Sequence, residues 1–433
     1  MGGPALRAPA GRVGPRQRLA AYCLYDFGNS AFTTVIVTVV YSVYFRTHVA
    51  AGARAADLLW GLAVSGAMLL VAFGAPLLGA HADRFGTRHR TLIAATLLSV
   101  AATATLSLVG RGDVAAGIGL FVLAQAGYAV GEAFYNAFLP DVAEPARLGF
   151  ISGLAWGIGY AGGLLSLAVA AWVLRGSHGP DDASQGSYQL LFLLVAAQYL
   201  LFTAPALLAL RDVRGPAAGT GGALQRLGRT AREVRRFRHV LLFLIAYFIY
   251  DNGLSVVIAF TSIYMVTTLG FTMAENLQLF VLLQISAAVG AVAAGAWADR
   301  RGARNAVLAS LVLWVAVIAS MATFRSRSAF MAIALVGGLG IGSTQACSRA
   351  LLAHLVPAAK RAEVFGFFAF CTKASGSIGP ALFGVLSSWT GDQRLALLSV
   401  LFFFVAGLIL LFLVDERAGR RAAAEYSEQP SPP

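Results

Sequence analysis

Apolar residues run through this chain in blocks of about 20 or more, the length a membrane-crossing helix needs, and charge collects in the short gaps between them. Twelve blocks are predicted to be membrane helices: 20–45, 58–80, 91–110, 116–140, 150–174 and 189–210, then 239–268, 277–298, 305–324, 329–356, 364–389 and 395–414. Helices are required because lipid offers no partner to an open backbone N–H or C=O. The one long connection, 211–238, divides six blocks from six. The expected architecture is an all-α polytopic membrane protein. It has an N-terminal tail (1–19), a first six-helix half (20–210), a basic linker (211–238), a second half (239–414) and a polar, Pro-containing tail (415–433) expected to be disordered. The first block is long, contains Asp26 and has no small-residue cleavage site, so it reads as a membrane helix rather than a secretory signal.

Composition agrees. Charged residues make up 12% of the 433 residues and hydrophobic ones 58%, against about 25% charged in a soluble domain. The net charge of +13 would suit nucleic acid if it formed one basic face. Instead it follows the gaps. With the N-terminus in the cytoplasm, 24 Lys and Arg fall on the cytoplasmic side and 7 on the other, while Arg349 and Lys373 lie inside blocks. That asymmetry predicts both termini in the cytoplasm. The linker stretch 224–238 reads either as a basic surface helix attracted to anionic lipid or as a solvated connector. The three cysteines fall in apolar blocks without metal-ligand spacing and are expected to be small packing residues. No metal site, cofactor or catalytic spacing is expected, and no phosphate-binding loop points to direct ATP drive. Two Lys in all, with abundant Ala and Arg, suggest a bacterial cytoplasmic membrane protein. A monomer in contact with lipid is expected.

The polar residues repeat. Gly79-x-x-x-Asp83-Arg84-x-Gly86-x-Arg88 returns as Gly295-x-x-x-Asp299-Arg300-x-Gly302-x-Arg304, an offset of 216. Tyr25-Asp26 with Gly28 and Ser30 returns as Tyr250-Asp251 with Gly253 and Ser255, and Glu132 eight residues before Pro140 returns as Arg349 eight before Pro357. In each Asp motif, Gly permits close helix approach and the charges can pair across a gap or meet a helix end. Two copies in matching gaps predict a latch that holds one conformation and releases another, in a machine whose halves rock against each other.

With these motifs the chain resembles the major facilitator superfamily over nearly its whole length. Tyr25-Asp26-Phe27-Gly28-Asn29-Ser30-Ala31-Phe32, Phe134-Tyr135-Asn136-Ala137-Phe138-Leu139-Pro140-Asp141, and Gly340-x-Gly342-x-x-Gln345-Ala346-x-Ser348-Arg349 followed by Phe365-Gly366-Phe367, Lys373 and Gly379-Pro380 narrow it. Together they are similar to the vacuolar amino-acid effluxers related to autophagy and their bacterial relatives. The chain departs mildly at Gly28 and Val364, where that family usually has Ala and Phe. The resemblance implies twelve helices, alternating access, and amino acids or similar zwitterions as the first substrate class. It also implies a central cavity lined by helices 1, 4, 7 and 10.

Five ionisable residues lie within the blocks: Asp26, Glu132, Asp251, Arg349 and Lys373. Each charge at bilayer depth costs at least ~2.5–3.5 kcal/mol, so they need partners or a wet cavity. Two roles fit them. Arg349 and Lys373 could meet a substrate carboxylate while Asp26 or Asp251 meets an amine. Alternatively they pair with one another, Glu132 with Arg349 or Lys373, and close an inner gate. Asp26 and Asp251 also fit proton coupling, or simple pairing with Asn29 or Asn252. Tyr135, Asn136 and Gln345 complete the candidates. Two rivals to transport stand on the same fold: a transport-dead receptor or scaffold, and a lipid or amphiphile translocator.

Overall fold

The computed structural model describes residues 14–50, 56–174, 185–211, 237–267, 273–324, 326–390 and 393–428, and these are helical, with no strand among them. The first half comprises α1 (Pro15–Ala31), α2 (Ala56–Phe85), α3 (Arg88–Thr105), α4 (Val114–Ala137), α5 (Leu148–Val173) and α6 (Gln185–Ala209). The second comprises α7 (Arg238–Thr267), α8 (Met273–Arg301), α9 (Ala303–Thr323), α10 (Arg327–Leu355), α11 (Arg361–Thr390) and α12 (Gln393–Phe412). A last helix, α13 (Glu416–Glu428), follows a 61° bend. Among the described residues, eight helices are long and apolar enough to cross a membrane, or nine if α12 and α13 count as one bent span. The linker 212–236 lies outside the described residues.

The first predicted block forms differently from the others. After α1 the chain widens into a π-helix over Phe32–Val39. Residues 33–39 are Thr-Thr-Val-Ile-Val-Thr-Val, and seven branched β-carbons in a row crowd the tighter α winding. Tyr41 and Tyr44 then anchor this stretch, donating to the carbonyls of Gly117 (3.0 Å) and Val109 (2.6 Å).

Large apolar side chains face outward, including Leu97, Leu201, Leu208, Phe402, Ile409 and Phe412. In a membrane that is the expected face, since lipid is as apolar as leucine and helices associate through close packing of small residues. The seam between the halves shows this. Gly149, Gly153 and Gly157 of α5 lie against Ala288, Ala291, Val292 and Gly295 of α8, and Gly79 of α2 and Gly366 of α11 complete the opposite crossing. A Cβ at Gly295 would meet the Gly149 carbonyl. Gly295→Leu is therefore expected to destabilise the protein by about 1–3 kcal/mol through overpacking, read as a lower melting temperature in detergent. An unchanged melting temperature would mean that the α5–α8 contact is not tight.

The tail contradicts the disorder expected from residue 415. Glu416–Glu428 is helical because Asp415 accepts from the N–H groups of Arg417 (2.8 Å) and Ala418 (3.0 Å) and starts the turn. Glu416 pairs with Arg420, and its other oxygen accepts from Arg304 N at 2.9 Å. Gly419 then lets the helix close on Leu355 of α10 and His239 of α7.

Candidate functional site

The two Asp motifs act alike. Asp83, at the end of α2, accepts hydrogen bonds from the backbone N–H groups of Ala362 (3.3 Å) and Glu363 (2.9 Å), the second and third residues of α11. Asp299, at the end of α8, accepts from Gly149 (2.7 Å) and Phe150 (2.8 Å), the second and third residues of α5. Each carboxylate thus caps the exposed amides at the start of a helix in the other half, where the helix dipole also favours negative charge. Gly86 (φ 62°) and Gly302 (φ 94°) turn the chain back into α3 and α9 with a left-handed backbone that glycine adopts freely.

The arginines of the motifs diverge. Arg88 is buried, 3.4 Å from Asp141, which also pairs with Arg361 of the other half. Arg304 instead donates to the carbonyls of Leu411 (3.3 Å) and Phe412 (2.8 Å) at the end of α12. The Arg84 side chain lies outside the described residues.

Deeper in the seam, four candidates converge. Arg349 of α10 is 2% exposed. Its guanidinium donates to Asp26 Oδ2 of α1 (3.1 Å), Asn136 Oδ1 of α4 (3.0 Å), Ser152 Oγ (2.9 Å) and the Ser152 carbonyl (2.7 Å) of α5. All of these partners belong to the opposite half. The rings of Tyr135 and Trp156 lie 5.8 and 5.5 Å from the guanidinium carbon, in cation–π range. Tyr135 stacks between Tyr22 and Tyr25, with centroids at 4.2 and 4.4 Å, and its hydroxyl donates to Asp26 Oδ2 and the Tyr22 carbonyl, both at 3.0 Å. Asp26 is thereby held from its own half as well as by Arg349. A second cross-half pair is looser: Lys373 Nζ of α11 and Glu132 Oε2 of α4 are 3.9 Å apart, with 12% and 25% of their side chains exposed. Lys373 also sits over the Tyr128 ring at 5.7 Å. Gln345 Oε1 accepts from Tyr160 of α5 at 2.8 Å, again across the seam.

This geometry is a pair of charged clasps above a pair of helix-capping contacts. The family model described as vacuole effluxer Atg22 like covers residues 147–424. The chain belongs to that family. An MFS-type transporter of Bacillus subtilis, YxiO, is 26% identical over 418 residues, covering 95% of this chain and 97% of that protein. Autophagy-related protein 22-1 of Aspergillus niger is 25% identical over 300 residues, 63% of this chain and 48% of that protein. This chain thus spans about half the length of that fungal relative. Among solved structures, the human organic anion transporter MFSD10 superposes with a TM-score of 0.74 at 16% identity, over 92% of this chain and all of that one. FucP in its outward conformation gives 0.74 at 13% identity, over 93% and 99%. The Atg22-like chain is an integral, multi-pass membrane protein with the major facilitator fold, and its relatives are transporters rather than enzymes.

Measured against the motifs, the Atg22-like chain brings Asp26, Tyr135, Asn136 and Arg349 into one cluster and Glu132 with Lys373 into another. The Glu132–Arg349 alternative does not form in this state, because Asp26 occupies the guanidinium. Asn29 is buried, but Asp26 pairs with Arg349 and Tyr135 rather than with it. Asp251 is likewise bonded to Ser375 of α11, while Asn252 donates to the Phe248 carbonyl at 2.5 Å. Sequence reasoning missed Ser152, Trp156, Asp141, Arg361 and Ser375. A serine in an apolar helix carries no signal of its own. The nearby glycines at 149 and 153, which pack against α8, are the one local signal in that part of α5. The cysteines are free and buried, as their apolar setting predicts. Among the described residues no cluster of three or more His, Cys, Asp or Glu could hold a metal ion.

Proposed function

We propose that this chain is a secondary transporter that moves a small zwitterion, with amino acids as the first class to test, by proton-linked efflux through alternating access. The observation that carries the reading is the pair of ion clasps, Asp26–Arg349 and Glu132–Lys373, each with one partner in each half. To open the latch end, both pairs must part, and a bare charge at that depth costs at least ~2.5–3.5 kcal/mol. A zwitterion offsets part of that cost. Its carboxylate can take Arg349 or Lys373, the planar guanidinium binding both oxygens, while its ammonium takes Asp26 or Glu132. One zwitterion thus supplies partners for one base and one acid of the two pairs. A neutral sugar offers hydrogen bonds only. The longer, more exposed Glu132–Lys373 pair is the first contact, and the tight Asp26–Arg349 pair yields second.

The excess of Lys and Arg at the latch end makes that end cytoplasmic, so the closed seam is the outward-facing state. A bacterial cytoplasmic membrane is the expected setting. The test is uptake of a labelled amino-acid panel into proteoliposomes, with and without a pH gradient. Flux of at least one amino acid is expected. Glu132→Gln should raise KM by about tenfold or more, the equivalent of 1.4 kcal/mol of lost binding, in a protein that still folds. Absence of flux for every amino acid, from protein shown to be folded, would remove the substrate class.

A further inference from the structure

The repeat allows one half to serve as the control for the other. Asp26 and Asp251 hold equivalent places on α1 and α7, and both are buried, at 8% and 4% exposure. Asp26 faces Arg349. Asp251 accepts a hydrogen bond from Ser375 Oγ, and among the described residues no ion pair reaches it. The spans carry three acids and two bases, and each base is paired to a different acid: Arg349 to Asp26 and Lys373 to Glu132. Asp251 is the acid left over.

Its polar surroundings are drawn from three helices. Tyr247 and Tyr250 flank it on α7, Ser375, Lys373 and Cys371 come from α11, and Glu132 from α4 across the seam. The α12 face is the Phe404 ring, against Gly253. Lys373 is the one cation in this set. It is two residues from Ser375 on the same helix, and in this state it reaches over to Glu132.

We propose that Asp251 is the proton-carrying site of the transport cycle, exchanging one proton per turn for the hold on Lys373. This rests on the transport reading above. With the latch end closed, Lys373 serves Glu132, and Asp251 is a neutral carboxylic acid beside Ser375. When the halves part at that end, Lys373 loses Glu132 and turns to Asp251 in its own half. The carboxyl O–H bond breaks, its proton goes to cavity water, and the carboxylate pairs with the ammonium. Reclosure returns Lys373 to Glu132, and Asp251 takes a proton from the opposite side. Protons therefore run toward the latch side while the solute leaves it, which is antiport.

The test uses the full chain in proteoliposomes with the membrane potential clamped and an amino acid that the parent moves. Counterflow exchange needs no gradient, whereas net accumulation does. One unit of pH gradient should sustain about a tenfold solute gradient in the parent at one proton per cycle. Asp251→Asn, neutral and still able to accept from Ser375, should keep counterflow and lose all accumulation. The proposal is overturned by an Asp251→Asn protein that still concentrates solute, or by one that folds but has lost counterflow, which would make Asp251 a substrate contact. A parent that counterflows but ignores the gradient also overturns it and leaves the transport reading intact. A parent with no counterflow removes both. Should Asp251→Asn fail to fold, Ser375→Ala leaves the carboxylate in place and must shift the pH midpoint of driven transport. An unmoved midpoint counts against Asp251.

Discussion

Arg349→Ala is expected to destabilise the protein by about 3–5 kcal/mol, the usual cost of leaving one partner of a buried ion pair uncompensated. Transport should fall below detection in the same variant. Arg349 holds three helices of the opposite half through Asp26, Asn136 and two atoms of Ser152. Truncation strands the Asp26 carboxylate at 8% exposure with Tyr135 as its remaining donor. A second change separates electrostatics from lost packing. Asp26→Asn combined with Arg349→Met removes both charges and keeps most of the volume, so it should recover much of the melting temperature and none of the flux. Arg349→Lys should not restore function either, because a single ammonium cannot reach Asp26, Asn136 and Ser152 together. If Arg349→Ala melts with the parent, the clasp contributes little and the gate must rest on the latches alone.

The second large effect is expected at the latches. Asp83→Ala with Asp299→Ala removes two carboxylates that together accept four backbone hydrogen bonds at the starts of α11 and α5. Hydrogen bonds to a charged group contribute about 1.5–3 kcal/mol each at most, and 1.4 kcal/mol is tenfold in a population. Each single variant should therefore move the balance toward the latch-open state by about tenfold or more, and the double variant by about a hundredfold. Spin labels on Ala146 and Ala358, exposed at the latch end of opposite halves, report it as a longer-distance population. The native cysteines are replaced first. Identical distance distributions in parent and double variant would show that the capping carboxylates do not hold this end shut.

How much of this was legible in the sequence depends on sequence separation. The helices were readable because each apolar block is local. Where the reading slipped, a local rule was overridden. A run of consecutive β-branched residues loosened the first block into a π-helix, and an Asp cap with a Glu416–Arg420 pair ordered a tail that composition alone marked as disordered. The two Asp motifs were legible as a matched pair because the motif occurs twice, but the groups they meet were not. A backbone N–H carries no residue identity, so nothing in the sequence says that Asp83 caps α11. The clasps were half legible. Five charges inside apolar blocks announced themselves, yet whether Arg349 would meet Glu132 or Asp26, 323 positions away, depends on how the halves approach. In the structure Asp26 is the partner, with Tyr135 donating to the same carboxylate oxygen. Ser152 could not be foreseen, since its role depends entirely on that approach.

The measurement closest to the central claim follows the 146–358 label distance while a transported amino acid is added. If the solute replaces the cross-half ion pairs, a longer-distance population must grow with its concentration. In Glu132→Gln that growth should need about tenfold more solute, and a non-transported neutral sugar should leave the distances unchanged. A distance distribution that stays fixed while the same amino acid is carried across the membrane would contradict the account. Substrate and clasp would then be separate, and the charged seam would be scaffolding rather than the gate the solute opens.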